Sequence, residues 1–98
     1  MADRTIWKIN IEVVDEQDVL LPVRSEFLHA GIQAHAPLTN QIQTWWLVDP
    51  ETEQKPRTLL VRGTGHRVDA PLVAHLATVI DDRIQAVWHI FDKGPDWA

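Results

Sequence analysis

The sequence predicts a mainly β fold: a small antiparallel β-sandwich or open barrel of about seven short strands, with little helix. Three observations carry this expectation. Apolar and polar residues alternate with period two over most of the chain, as in strands with one buried face. Proline, glycine and acidic clusters interrupt that alternation at short intervals, which leaves room for strands but not for long helices. No long segment has a clean 3.6-residue period, and there is neither an internal repeat nor a low-complexity stretch.

The elements follow in order. In residues 5–13, Trp7, Ile9, Ile11 and Val13 share one face, while Lys8, Asn10 and Glu12 point the other way. The acidic stretch Asp15-Glu16-Gln17-Asp18 reads as a loop, and Val19-Leu20-Leu21 as a short strand stopped by Pro22. Residues 27–36 alternate Leu28, Ala30, Ile32 and Ala34 with His29, Gly31, Gln33 and His35, a strand whose alanines also permit a helix. Pro37-Leu38-Thr39-Asn40 has turn composition. Residues 41–48 are rich in aromatic and β-branched side chains and form the strongest strand signal. A polar loop over 49–56, held between two prolines, precedes a strand over 57–62, which Gly63-Thr64-Gly65-His66 breaks. Pro71 closes a second loop, and residues 72–80 and 84–91 flank Asp81-Asp82-Arg83 as a hairpin.

Length and composition bound the function. Ninety-eight residues support one domain and hardly a second core, with residues 4–92 expected to be ordered and 93–98 to form a tail. An apolar fraction of 45% with 23% charged residues is ordinary globular composition, and the absence of cysteine excludes disulfides, thiolate metal sites and cysteine nucleophiles. The longest apolar run, Trp45-Trp46-Leu47-Val48, is far short of the roughly 20 residues of a membrane helix. No apolar stretch follows Met1-Ala2-Asp3-Arg4, so no secretory signal is expected and the cytoplasm is the expected location. Nine Lys and Arg against fourteen Asp and Glu give a net charge of −5, and no two cations are adjacent. Direct binding of duplex nucleic acid, which needs clustered cations, is therefore not expected. The gathered carboxylates read either as solvated loops or as an acidic surface for a basic groove on a partner.

Thr5-Ile6-Trp7-Lys8, Trp46-Leu47-Val48-Asp49-Pro50 and Arg62-Gly63-Thr64-Gly65-His66 followed by a strand pair together resemble a family of small uncharacterised proteins of tailed bacteriophages and prophage-carrying genomes. The likeness spans roughly residues 5–92, and the Gly-Thr-Gly-His loop is its most specific part. Where such proteins often have Pro after the His, Arg67 stands here. The resemblance implies a phage origin and names no catalytic residue.

The glycine loop, the histidines, the single serine and the tryptophan pair are the candidates for chemistry or binding. Gly63-Thr64-Gly65-His66, with Arg62 and Arg67, reads either as a nest of backbone N–H groups for a phosphate or as a tight turn in which glycines take positive φ. It lacks the Lys-Ser/Thr of a P-loop and the third glycine of a dinucleotide fingerprint. Among the histidines, His29 and His35 share a strand face but stand about 20 Å apart. His75 opposes His89 if the hairpin loop is Asp81-Asp82-Arg83. It faces Trp88 if the loop is Asp81-Asp82 alone, the register that gathers Ala77, Val79, Ile84, Ala86, Trp88 and Ile90 on one face. No metal or other cofactor is expected. A nucleophile is not expected either, since the single serine, Ser25, has no Gly-x-Ser-x-Gly elbow. Finally, Trp45 and Trp46 are neighbours on a strand and leave opposite faces, so one enters the core while the other is covered by a second element or offered to a partner.

The leading expectation is a non-enzymatic interaction protein. It would bind a host or phage protein through an aromatic patch including Trp45 or Trp46 and Trp97, framed by acidic loop residues such as Glu51 and Glu53. An inhibitor of a host defence complex, anti-CRISPR-like in one case, is its concrete form. The alternatives are a binder of small phosphate-containing ligands at the Gly63–His66 loop, and a minor virion or assembly component that associates with itself, for instance as a homodimer.

Overall fold

The computed structural model describes residues 3–33, 40–68 and 73–95. Seven strands fill them: β1 (Thr5–Glu12), β2 (Glu16–Pro22), β3 (Glu26–Gly31), β4 (Gln41–Val48), β5 (Gln54–Gly63), β6 (Ala74–Asp81) and β7 (Ala86–Pro95). They form two antiparallel sheets, β1-β4-β3 and β2-β5-β7-β6, with no closed barrel. The described residues contain no helix, and the fold is a small β-sandwich, as the alternation predicts.

The core lies between the sheets. Ile11, Ile42, Trp46 and Val48 come from the three-stranded layer, and Leu21, Leu59, Val61, Val79 and Ile90 from the four-stranded one; all are buried. Trp7 and Ile9 pack against this cluster, so the odd positions of β1 face inward as their alternation requires. β1 and β4 pair over the full length of β1, from Thr5 opposite Val48 to Glu12 opposite Gln41.

Four boundaries differ from the sequence expectation, each for a visible reason. The acidic stretch 15–18 is not a loop: the bend occupies residues 13–15, and β2 starts at Glu16. Its polar side chains are held on the sheet. Gln17 donates to Glu12 O at 2.7 Å and accepts from Glu12 N at 2.9 Å, Asp18 accepts from the Thr58 hydroxyl at 2.6 Å, and Glu16 accepts from Lys93 at 3.2 Å. In β3 a bulge between Phe27 and His29 turns Leu28 out to 45% exposure while Ala30 stays buried, so Leu28 and Ala30 do not share a face. The strand ends at Gly31; residues 34–36 and most of the turn expected over 37–40 lie outside the described residues. The loop after β4 is shorter than expected, because Asp49 closes it early. Its carboxylate accepts from Glu51 N at 3.0 Å, and its carbonyl accepts from Thr52 N at 3.1 Å and Thr52 Oγ1 at 2.9 Å. β5 thus begins at Gln54, and Pro56 pairs with Leu20 of β2 one position before the described β5–β7 ladder starts at Arg57. Finally, β7 runs on to Pro95, into the stretch expected to be a tail.

The hairpin register is neither of the two expected. Asp81 pairs with Ala86, Val79 with Trp88, Thr78 with His89 and, past a bulge, His75 with Phe91, which leaves a four-residue loop, 82–85. The face of Ala77, Val79, Trp88 and Ile90 does turn to the core, but Ile84 is exposed in the loop. The cause is Asp81, only 1% exposed, whose carboxylate accepts from Arg83 N at 3.1 Å, Arg83 Nε at 2.9 Å and Arg83 Nη2 at 2.9 Å. These bonds curl the chain back before it can re-enter the sheet, and Gln85 completes the turn at φ 53°.

The Arg83 side-chain bond, chiefly, holds the Asp81 carboxyl below its ordinary value of 3.8 against the opposing effect of burial. A carboxyl depressed in the folded state stabilises the fold above that ordinary value, and the contribution is lost as pH falls through the folded one. Asp81→Asn should therefore lower the thermal midpoint at neutral pH. The gap from the wild type should narrow once pH drops below about 4. A gap that stays constant down to strong acid would contradict the role given to Asp81.

Candidate functional site

β4 separates the tryptophan pair. Trp46 is fully buried: Phe27 meets its ring edge-on at 5.2 Å, its Nε1 donates to Thr44 Oγ1 at 2.8 Å, and that hydroxyl donates to Ile9 O at 2.7 Å. Trp45 leaves the other face of the same strand and is half-buried. It lies in a row with Lys8 of β1 and His29 of β3, the His29 ring tilted against it at 5.8 Å. In the next row Ile6 stands opposite Leu47, and Ile6 is 60% exposed. Leu28, displaced by its bulge, adds to the apolar area. One side is edged by Lys8 donating to Gln33 Oε1 at 2.9 Å, the other by the exposed ion pair of Arg4 and Glu26 at 3.3 Å. Glu51 and Glu53 are exposed on the loop that leaves β4 just past Leu47. Trp97, also expected at this surface, lies outside the described residues.

The Gly63–His66 loop is a tight turn at the other end of β5. His66 N donates to Gly63 O at 3.0 Å, and Gly65 takes φ +91° at the third position, where glycine is favoured. Gly63 N donates to His66 Nδ1 at 3.2 Å, and a Cβ on Gly63 would come within 3.1 Å of the His66 ring and press it outward by a few tenths of an ångström. The N–H groups of Gly63 and His66 are thus used inside the turn and do not form an open nest. Arg62 is committed too: Nε donates to Arg67 O at 3.0 Å, and Nη1 donates to Asp15 O and, at 3.3 Å, to Val61 O. Asp15, Arg62, His66 and Arg67 line an open depression of about 480 Å³. Asp15 was the member the sequence did not single out.

The histidines of the hairpin meet through threonines rather than directly. The Thr78 hydroxyl lies 3.0 Å from His75 Nε2 and 3.0 Å from His89 Nδ1, and His89 Nε2 lies 2.8 Å from Thr64 Oγ1. His35 falls outside the described residues. Among the described residues no group of three or more His, Asp or Glu is placed to hold a metal ion. No helix among them is long and apolar enough to cross a membrane. Ser25 is buried and donates to Pro22 O at 2.6 Å, a contact within the turn between β2 and β3.

A buried charge network went unforeseen. Arg57 and Asp92 face inward at the end of the sandwich, with Arg57 Nε 2.9 Å and Nη2 2.6 Å from Asp92 Oδ2, while Arg57 Nη1 donates to Ser25 O at 2.7 Å. The guanidinium carbon lies 5.0 Å from the centre of the Trp46 ring. Asp92 Oδ1 also accepts from Gly94 N at 2.8 Å. The network ties β3's entry, β5 and β7 to the core tryptophan, and its partners are 35 residues apart in the chain.

The chain matches a family model described as a domain of unknown function (DUF7352) over residues 2–97. Comparison with curated proteins and with solved structures finds no match.

Proposed function

Because this chain belongs to the DUF7352 family, a domain of unknown function, its role has to be read from its own surface, and we propose that it is a non-enzymatic interaction protein binding a partner protein through the outer face around Trp45. The observation that carries this reading is the split of the tryptophan pair. Trp46 is consumed by the core, whereas Trp45 sits on a solvent-facing sheet surface beside exposed Ile6 and Leu28. Aromatic rings in such settings are enriched among the residues that dominate binding energy. Glu51 and Glu53, at the rim, would steer a basic partner toward the patch and set its association rate more than its affinity.

The resemblance to tailed-phage and prophage proteins supports a phage-derived role. An inhibitor of a host defence complex, anti-CRISPR-like in one case, is the concrete form we put forward, acting in the host cytoplasm. Affinity capture on the full chain from bacterial lysate, read by mass spectrometry, should retain one protein in stoichiometric amount. Retention should weaken as salt rises, because rim carboxylates are screened over about 8 Å at physiological ionic strength. Recovery of the chain alone, as a stable homodimer with Trp45 in its interface, would favour an assembly role instead.

A further inference from the structure

We propose that the depression lined by Asp15, Arg62, His66 and Arg67 is an oxyanion site for a small phosphate-bearing molecule, with side chains rather than backbone amides as its donors. The inference is independent of the Trp45 surface, since β5 carries the acidic loop at its first end and this depression at its last.

The donors follow from bonds already made. His66 Nδ1 accepts from Gly63 N, so in the neutral ring the proton is on Nε2, which is left to donate away from the turn. Arg62 is anchored to three carbonyls through Nε and Nη1, and its side chain is only 13% exposed. Its Nη2 has no protein partner among the described residues, so a fixed guanidinium keeps two N–H groups to offer. The Arg67 carbonyl is held by Arg62 Nε, which positions the residue, while its own guanidinium has no partner among the described residues. A planar guanidinium matches phosphate oxygens through paired donors.

The charge balance fits an anion. Among the described residues two guanidinium groups, those of Arg62 and Arg67, face one carboxylate, Asp15, which is 92% exposed and 3.9 Å from Arg62 Nη1. So loose and solvated a pair is worth little, and an incoming phosphate can displace it. The described lining of the depression is thereby net positive on a chain whose overall charge is −5. At about 480 Å³ it exceeds a bare phosphate and lies in the range of sites for small organic ligands.

The test titrates the full chain with inorganic phosphate and with pyrophosphate, following the amide resonances of residues 63–67 by NMR, against sodium chloride at equal ionic strength. Saturable shifts with a dissociation constant below about 10 mM are expected, with pyrophosphate the tighter ligand. Arg67→Ala, whose fold-bearing carbonyl is retained, should weaken binding at least tenfold, and Asp15→Ala should tighten it. Shifts no larger than those from chloride, or binding left unchanged by Arg67→Ala, would overturn the assignment.

Discussion

Replacing Trp46 by Ala should cost about 3–5 kcal/mol of folding stability, one of the two largest effects expected of a single substitution. The ring is the biggest fully buried side chain, and its loss opens a cavity between Phe27, Thr44 and Arg57. The surrounding strands cannot close over it, because β4 is fixed on both sides by β1 and β3. The Thr44 hydroxyl would lose the indole donor but keep its own bond to Ile9 O. Small domains hold only about 5–15 kcal/mol in total, so Trp46→Ala is expected near the edge of folding. Trp46→Phe keeps most of the volume and should lose clearly less. Urea unfolding of the two variants checks the order; a Trp46→Ala protein as stable as the wild type would remove Trp46 from the core.

Breaking the Arg57–Asp92 pair should cost a comparable amount, about 3–5 kcal/mol for Asp92→Ala, by a different mechanism. The carboxylate takes two guanidinium bonds, and both partners are nearly withdrawn from water, at 13% and 8% side-chain exposure. Without it, Arg57 is left as a largely buried cation with, among the described residues, the Ser25 carbonyl and the Trp46 ring to compensate. The cost is chiefly that of the abandoned charge, so replacing both partners at once should recover much of it. Arg57→Leu combined with Asp92→Leu is therefore expected to be more stable than Asp92→Ala alone, the reverse of simple additivity. Equal losses in the single and double variants, measured by urea unfolding, would show that the pair's desolvation is not what matters.

The fold class was legible because one rule, alternation with period two, acts locally. The odd positions of β1 and the opposed faces of Trp45 and Trp46 needed no knowledge of the rest of the chain. Even the exposed apolar patch was half visible, since Ile6 falls on the polar face of its strand. What escaped was set by side chains reaching across or around the backbone. Gln17 bonding Glu12 draws an acidic stretch into a strand, and Asp81 capturing Arg83 shifts the β6–β7 register, for which hydrophobic pattern alone offered two other choices. The bulge that turns Leu28 outward has no local signature. Arg57 and Asp92 each look like ordinary surface charges until the topology brings β5 beside β7. At the Gly63–His66 loop the residue types were noticed for the right reason, conformational freedom and charge. Only the structure shows that two of its amides are spent within the turn and that Arg62 is locked to carbonyls, which moves any anion-binding role to side chains.

Whether Trp45 is the outward ring through which a partner is held is decided by the affinity of Trp45→Ala for the captured partner, measured by calorimetry beside an unfolding curve. The expected result is an unfolding midpoint close to the wild type and an affinity at least about thirtyfold weaker, the loss of a residue that contributes roughly 2 kcal/mol or more to binding. A folded Trp45→Ala protein that binds as tightly as the wild type would contradict the claim and move the interface off this face.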